Sequence, residues 1–393
     1  MTNSRVPRGR SPHSAVVSAM LRRRLLLELG ALTAASMWVR PGLAEEGLLQ
    51  HLGSPQDLGT PLDVLDRLIT PTPLFFVRSH FGPPALDPAR RLHISGLVRR
   101  PLELDVTALR RLPEVTLTAV LQCAGNGRAL QSPRVPGVQW IHGAVGQATW
   151  TGVRLKDVLD RAGVLPGAAH VRLLGADYPP KPAVPAFIRS IPLARALDPG
   201  TLLAYRMNGE PLSLAHGAPV RLIVPGWAGD HWIKWLTDLR VQKEEAEGFY
   251  FQTAYRLPIE PVSPGTAVPP EKTRPLTTFP VKSIVARPVE GSQQRVGVQE
   301  ITGVAFSGER PIAAVEVSLD SGASWHTATL EGEAGAGRWQ VFHYAFDEAH
   351  PGRKRAVVRA IEAGGATQPE TAVWNPSGYF WNGWHAVSWE VVA

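Results

Sequence analysis

The chain runs to 393 residues, 44% hydrophobic and 19% charged, a globular composition too long for one ordinary compact domain. Its 37 Gly and 36 Pro favour many short strands over a helix bundle, and its single Cys leaves no internal disulfide and no second thiol for a zinc, iron–sulfur or covalent haem motif. The net charge of +7 points to a nucleic-acid or membrane partner only until it is located: residues 1–44 hold Arg5, Arg8, Arg10, Arg22, Arg23, Arg24 and Arg40 against Glu28 alone, so the remainder carries +1 and no nucleic-acid partner is expected.

Those first residues have the order of an export signal. Arg22-Arg23-Arg24-Leu25-Leu26-Leu27 is followed by Gly30-Ala31-Leu32-Thr33-Ala34-Ala35 and then by Gly42-Leu43-Ala44. A basic region, a short apolar region and a small-residue cleavage site predict a signal peptide over 1–44, removed near Ala44. Consecutive arginines point to the twin-arginine route, which carries proteins already folded around a cofactor, although Glu28 and Trp38 depart from its pattern. Arg40 and Pro41 stop the apolar run well short of the ~20 residues a membrane anchor needs. The expected location is the periplasm or another extracytoplasmic space, with no permanent membrane anchor.

Residues 45–70 read as helical or irregular, with Pro61-Leu62-Asp63-Val64-Leu65 as a short amphipathic turn. Phe75-Phe76-Val77 and Thr116-Leu117-Thr118-Ala119-Val120-Leu121 read as strands. Leu155–Ala162 has the apolar spacing of a helix, and Gly163 ends it. Leu202-Leu203-Ala204-Tyr205 leads to a tight turn at Asn208-Gly209, and 220–224 is a strand closed by Pro225-Gly226. The Pro-, Thr- and Glu-rich stretch 258–280 reads as a connecting segment. Beyond it, strand-like runs at 298–306, 312–319, 339–344, 356–361 and 386–392 are separated by turns such as Asp320-Ser321-Gly322 and Gly364-Gly365. About seven short strands over roughly 110 residues mark an immunoglobulin-like sandwich.

The segment richest in chemistry is Leu121-Gln122-Cys123-Ala124-Gly125-Asn126-Gly127-Arg128. A strand delivers a thiol into a Gly/Asn turn, where backbone can approach a ligand closely and an arginine five residues on favours the thiolate. On these residues alone Cys123 is a buried inert thiol, a nucleophile or a metal ligand.

Four further segments accompany it in order: Phe75-Phe76-Val77-Arg78-Ser79-His80, then 202–210, then His216-Gly217-Ala218-Pro219-Val220-Arg221, then Lys234-Trp235-Leu236. Together they resemble the sulfite oxidase family of molybdopterin-dependent oxidoreductases from about residue 71 to residue 255. A looser likeness continues through Val317-Ser318-Leu319-Asp320-Ser321-Gly322 and Val373-Trp374-Asn375-Pro376. The resemblance implies an α+β chain: a mixed α/β molybdopterin-binding catalytic domain over 45–277, then an immunoglobulin-like β-sandwich over 278–393 that mediates a homodimer. It implies that Cys123 supplies the thiolate on molybdenum, a soft ligand suited to such a centre. Phe76, Arg78, His80, Asp177, His216, Arg221 and Lys234 match the positions that grip the pterin and its phosphate. Arg78, Arg128, Tyr255 and Trp140 match the substrate pocket, where guanidinium groups can bind two oxygens of a sulfur oxyanion. The activity implied is oxidation of sulfite to sulfate, with electrons passed to an external carrier such as a c-type cytochrome and no haem in this chain. Sulfane dehydrogenase-like oxidation of another reduced sulfur compound, or reduction of an S- or N-oxide or oxyanion, is the alternative.

The chain departs from the family pattern at Gly127, at Trp232 where a hydroxyl is usual, at Pro179-Pro180-Lys181-Pro182, and at Asn375-Pro376-Ser377-Gly378 where an arginine is usual. These changes predict a less cationic pocket. Bacterial sulfur-oxidising relatives share parts of this pattern, including Pro225-Gly226-Trp227.

Overall fold

A computed structural model describes residues 43–44, 47–53, 55–85 and 87–393. The export signal expected over 1–44 lies outside them, except for the backbone of Leu43–Ala44, which pairs with Leu49 and Leu48. Among the described residues no helix is long and apolar enough to cross a membrane.

Two five-stranded sheets build the first half. In one, Glu114–Gln122 and Val145–Arg154 pair antiparallel along their length, from Glu114 opposite Val153 to Gln122 opposite Val145. Leu202–Met207 continues the sheet on the far side of Val145–Arg154, and pairs in turn with Glu210–Pro211 and Arg221–Ile223. In the other, Leu236–Gln242 lies between Leu92–Gly96, its one parallel neighbour, and His170–Gly175. Helix Leu155–Ala162 buries Leu155, Val158, Leu159 and Ala162, the i, i+3, i+4, i+7 stripe read from the sequence. Gly163 ends it at φ 71°, a left-handed cap that costs glycine little. Trp140, Trp150 and Trp232 sit in this core with at most 1% of their surface exposed.

The second half is a sandwich. One sheet orders Lys282–Arg287, Gly297–Phe306, Trp339–Glu348 and Thr329–Glu331; the other orders Gln293–Arg295, His385–Val392, Gly352–Glu362, Ile312–Ser318 and His326–Thr327. Val285, Ile301, Val315, Phe342, Val358 and Trp389 fill the space between them. The four-stranded sheet is buried on its other face as well: Ile284, Val304, Phe306, Trp339 and Val341 pack against Leu65, Val120 and Val145 of the first half. Two-sided burial explains why Gly297–Phe306 reads as an apolar run and not as an alternation.

The structure corrects several expectations. Residues 48–59 are not helical but form a hairpin, Leu48–Gly53 with Gln56–Gly59. Phe75-Phe76-Val77 forms no strand; Val77 makes one bridge to Leu58. The stretch 258–280 is more than a connector, because Thr273–Pro275 folds back on Arg256–Pro258. Strand Lys282–Arg287 went unread, its apolar core being only Ile284-Val285-Ala286.

Candidate active site

Strand Glu114–Gln122 ends at the thiol. Cys123 N donates to Ala144 O at 2.9 Å, holding the residue against the neighbouring strand, and Cys123 O accepts from Asn126 N at 3.0 Å to close the turn. The Asn126 side chain locks that turn, accepting from Ala144 N at 3.1 Å and donating to Gln122 Oε1 at 3.3 Å. A Cβ on Gly125 would lie 2.7 Å from the Arg128 guanidinium and would push it off its carbonyl partners. The sandwich half props the loop from below: Phe380 N donates to Ala124 O at 2.9 Å, Arg128 Nε to Ser377 O at 2.9 Å, and Lys282 Nζ to Asn126 O at 3.5 Å.

Cys123 opens into a cleft enclosing about 740 Å³ of empty space, open solvent at its mouth included. Nine of the residues named from the sequence line it: Phe76, Arg78, His80, Cys123, Asp177, His216, Arg221, Lys234 and Tyr255. Two do not. Trp140 is wholly buried behind the cleft, its ring 4.4 Å from that of His51, because the hairpin at 48–59 folds over it. Arg128 lies under the loop with its guanidinium engaged by Ser377 O and Val138 O and placed 5.4 Å over the Tyr379 ring, so it acts on the cleft through its charge and through the loop it braces.

One end of the cleft is cationic. Arg221 meets no carboxylate: its Nη1 and Nη2 donate to His216 O and Trp232 O at 2.9 and 3.2 Å, and its buried Nε has no partner. Burial lowers its pKa to about 9. Lys234 Nζ donates to Ala215 O at 2.9 Å and sits 4.2 Å over the Trp235 ring; burial and then Arg221 bring its pKa down to about 7. His216 is held neutral, lowered to about 3 by burial and then by Lys234 and Arg221. Its Nε2 faces Thr72 O at 3.4 Å and donates there, leaving Nδ1 as an acceptor. Asp177 is the carboxylate of this end, raised to about 6 by burial against the pull of Lys234. Cations outnumber acids here in a poorly solvated recess, and an orphaned guanidinium N–H remains; both features call for an anionic ligand with several acceptors.

The other end is built for an oxyanion. Arg78 is charged, burial notwithstanding, because Asp57 lies 3.3 Å from its Nη1. Its Nη2 faces His80 Nδ1 at 3.3 Å, and His80 Nε2 lies 2.8 Å from Tyr255 Oη. A guanidinium only donates, so His80 Nδ1 accepts, its proton sits on Nε2, and Tyr255 Oη accepts that proton. The phenol hydrogen is thereby left free for the cleft. Burial and then Arg78 hold His80 far below its ordinary pKa, and burial and then Tyr379 raise Tyr255, so both stay neutral. Cys123 is pushed up by burial and pulled back by Arg78, the Gly125 amide and Arg128, so it is a thiol until a metal displaces the proton. Among the described residues no group of three or more His, Cys, Asp and Glu is arranged as a metal cage.

The matching family models are an oxidoreductase molybdopterin binding domain over residues 80–250 and a Mo-co oxidoreductase dimerisation domain over 273–391. The Arabidopsis thaliana sulfite oxidase is 33% identical over 351 residues, covering 82% of this chain and 88% of that protein. The chain belongs to the sulfite oxidase family. Human mitochondrial sulfite oxidase is 38% identical over 338 residues, 82% of this chain; the chain spans only 62% of that longer protein. The crystal structure of the sulfane dehydrogenase SoxCD from Paracoccus pantotrophus superposes with a TM-score of 0.74 at 28% identity, covering 89% of this chain and 86% of that one.

For a sulfite oxidase family member the departures now have places. Trp232 is 1% exposed, donates Nε1 to Trp227 O at 3.0 Å and borders the cleft, an indole at the position where the family pattern usually has a hydroxyl. Ser377 contributes a carbonyl to Arg128 and no cation. Sequence reading missed Asp57, Phe187, Arg189, Asp230 and His231. Asp230-His231 stands just ahead of the Lys234 motif and Arg189 is a cation inside an apolar strand; both oddities were readable. Asp57 gave no signal, because its partner lies 21 residues away across an unread hairpin.

Proposed function

We propose that this protein is a molybdenum-cofactor oxidoreductase that oxidises sulfite to sulfate and delivers the electrons to an external carrier such as a c-type cytochrome. The observation behind it is the convergence of a lone thiol, an acid-poor cationic recess and an Arg78–His80–Tyr255 donor chain on one cleft. Cys123 would hold the metal, Arg221 and Lys234 the phosphate of the pterin, and His216 and Asp177 its hydrogen-bonding edge. When bound, molybdopterin supplies the two-electron oxidant and the transferred oxygen, chemistry no side chain here can provide. The protein binds and orients: Arg78 offsets the charge of the oxyanion, Tyr255 donates its phenol hydrogen to it, and Trp232 and Phe187 limit water. The sandwich half supports a homodimer, and the order of residues 1–44 supports twin-arginine export to the periplasm.

The test is sulfite-dependent reduction of a one-electron acceptor by the molybdenum-replete protein, with sulfate measured as product. Stoichiometric sulfate supports the reading. Turnover of thiosulfate or protein-bound sulfane in the absence of sulfite turnover would replace it with the second reading, which the likeness to a sulfane dehydrogenase and the missing arginine at 377 favour.

A further inference from the structure

A second carboxylate lines the cleft away from the cationic recess. Asp230 Oδ2 lies 2.6 Å from Arg189 Nη2 and 3.3 Å from His231 Nδ1, and all three side chains are at most 1% exposed. Neither carboxylate oxygen accepts a well-formed side-chain hydrogen bond, and Oδ1 has no basic group beside it. Arg189 is fixed on several sides: it donates to Tyr250 O, its Nη2 lies 3.1 Å from His231 Nε2, and its guanidinium sits 4.9 Å over Phe251 and 5.3 Å over Tyr255. Because the guanidinium only donates, His231 Nε2 accepts and the ring proton sits on Nδ1, facing Asp230. Burial, and then Arg189, keep His231 neutral. Oδ2 is thus held close to two basic groups by charge, while Oδ1 has no partner at all, in a buried side chain that borders the substrate space.

Resting on the sulfite reading above, we infer that Asp230 is the base that removes the proton from hydrogensulfite, with Arg189 and His231 as its positioning residues. The O–H bond of HOSO2− breaks and an O–H bond forms on Asp230 Oδ1. Both electrons of the broken bond stay on the sulfite oxygen, so no oxidation state changes. The dianion that results has its sulfur lone pair available for oxidation, and the proton leaves Asp230 for solvent after the product departs. A carboxylate that stayed ionised would repel this dianion; one that takes the proton is neutralised by the transfer itself. Burial raises the Asp230 pKa against the pull of Arg189, which brings its basicity toward that of hydrogensulfite. Tyr250, Tyr255 and Tyr379, on the neighbouring elements, are all raised by burial and do not compete as bases. Across the cleft Arg78 is permanently charged, while Asp177 and Lys234 titrate near neutrality and do so in parent and variant alike.

The experiment is the pH profile of kcat/KM for sulfite in the molybdenum-replete parent, Asp230→Asn and Asp230→Glu. At low pH, where hydrogensulfite dominates, Asp230→Asn falls on the order of 10- to 100-fold below the parent. At high pH the substrate arrives already deprotonated, and the variant converges on the parent. Asp230→Glu keeps a base and a counter-charge for Arg189, and recovers most of the low-pH rate. An Asn variant equal to the parent at low pH, or depressed equally at every pH, overturns the assignment, as does a Glu variant no faster than Asn. Calorimetry with sulfate, which carries no proton in this range, gives a readout without turnover: the parent takes up more protons on binding than Asp230→Asn, and equal uptake overturns the proposal. A replete parent that oxidises no sulfite at any pH sinks the sulfite reading and the transfer with it; an active parent with an unaltered Asn profile removes Asp230 alone.

Discussion

Replacing Lys234 by Met should make the cofactor-free protein more stable and the cofactor harder to hold. Unfolded, the ammonium keeps its proton to about pH 10.5; in the fold it does so only to about 7. At about 1.4 kcal/mol per pH unit, that difference sets a penalty of at most about 5 kcal/mol at neutral pH. The side chain is only partly buried by its neighbours and faces the cleft, where water recovers some of this. Its bond to Ala215 O and its position over Trp235 return a further ~2–3 kcal/mol. The net gain for Lys234→Met is therefore about 1–2 kcal/mol at pH 7, read as a higher midpoint in urea unfolding of protein made without cofactor. The sign extends to pH. Between about 7 and 10.5 the unfolded state binds more protons than the folded one, so stability of the parent rises with pH across that window; the rise is smaller in the variant, where Lys282, also lowered to about 7 by burial, still contributes. With cofactor the order reverses: loss of a charge-assisted contact of ~1.5–3 kcal/mol lowers affinity on the order of 10- to 100-fold. A variant less stable than the parent when cofactor-free, or a parent with flat stability from pH 7 to 10, would refute the argument that this recess is strained until an anion enters.

Arg128→Gln should lower both kcat/KM for sulfite, about 10-fold or more, and thermal stability, because each of its two bonds to carbonyl oxygens is worth ~1.5–3 kcal/mol; steady-state kinetics and a melting curve check the pair. Tyr255→Phe removes the donor that His80 orients, and kcat/KM should fall on the order of 10- to 100-fold at unchanged molybdenum content, measured by metal analysis beside the assay. Changing Arg23 and Arg24 together to Lys should trap the protein in the cytoplasm, visible by cell fractionation, if the twin-arginine route is used.

What the sequence disclosed follows from how locally each feature is encoded. The strand-to-turn passage at Cys123 and the capped helix Leu155–Ala162 depend on neighbours within a few residues, and both appear as read. The sandwich was legible from its strands, but the burial of its second sheet face was not, since Val120 and Val145, which cover it, belong to the other half of the chain. Trp140 shows how one error propagates. With 48–59 read as helical or irregular, nothing marked His51 and Gly59 as the surface against which this indole packs, and a core residue was assigned to the pocket wall. Arg128 was read by charge alone, whereas its carbonyl partners at Val138 and Ser377 exist only in three dimensions. Arg189 and Asp230 were each readable as an oddity, but they lie 41 positions apart and no local pattern pairs them.

The most direct test of the account is X-ray absorption at the molybdenum edge on the purified parent and on Cys123→Ser. Cys123 follows a strand into the lining of the cleft and is the chain's one thiol, so it should account for one sulfur in the metal's coordination shell. The account predicts one sulfur fewer in the folded variant, with little or no turnover. An unchanged sulfur count with molybdenum retained would contradict it.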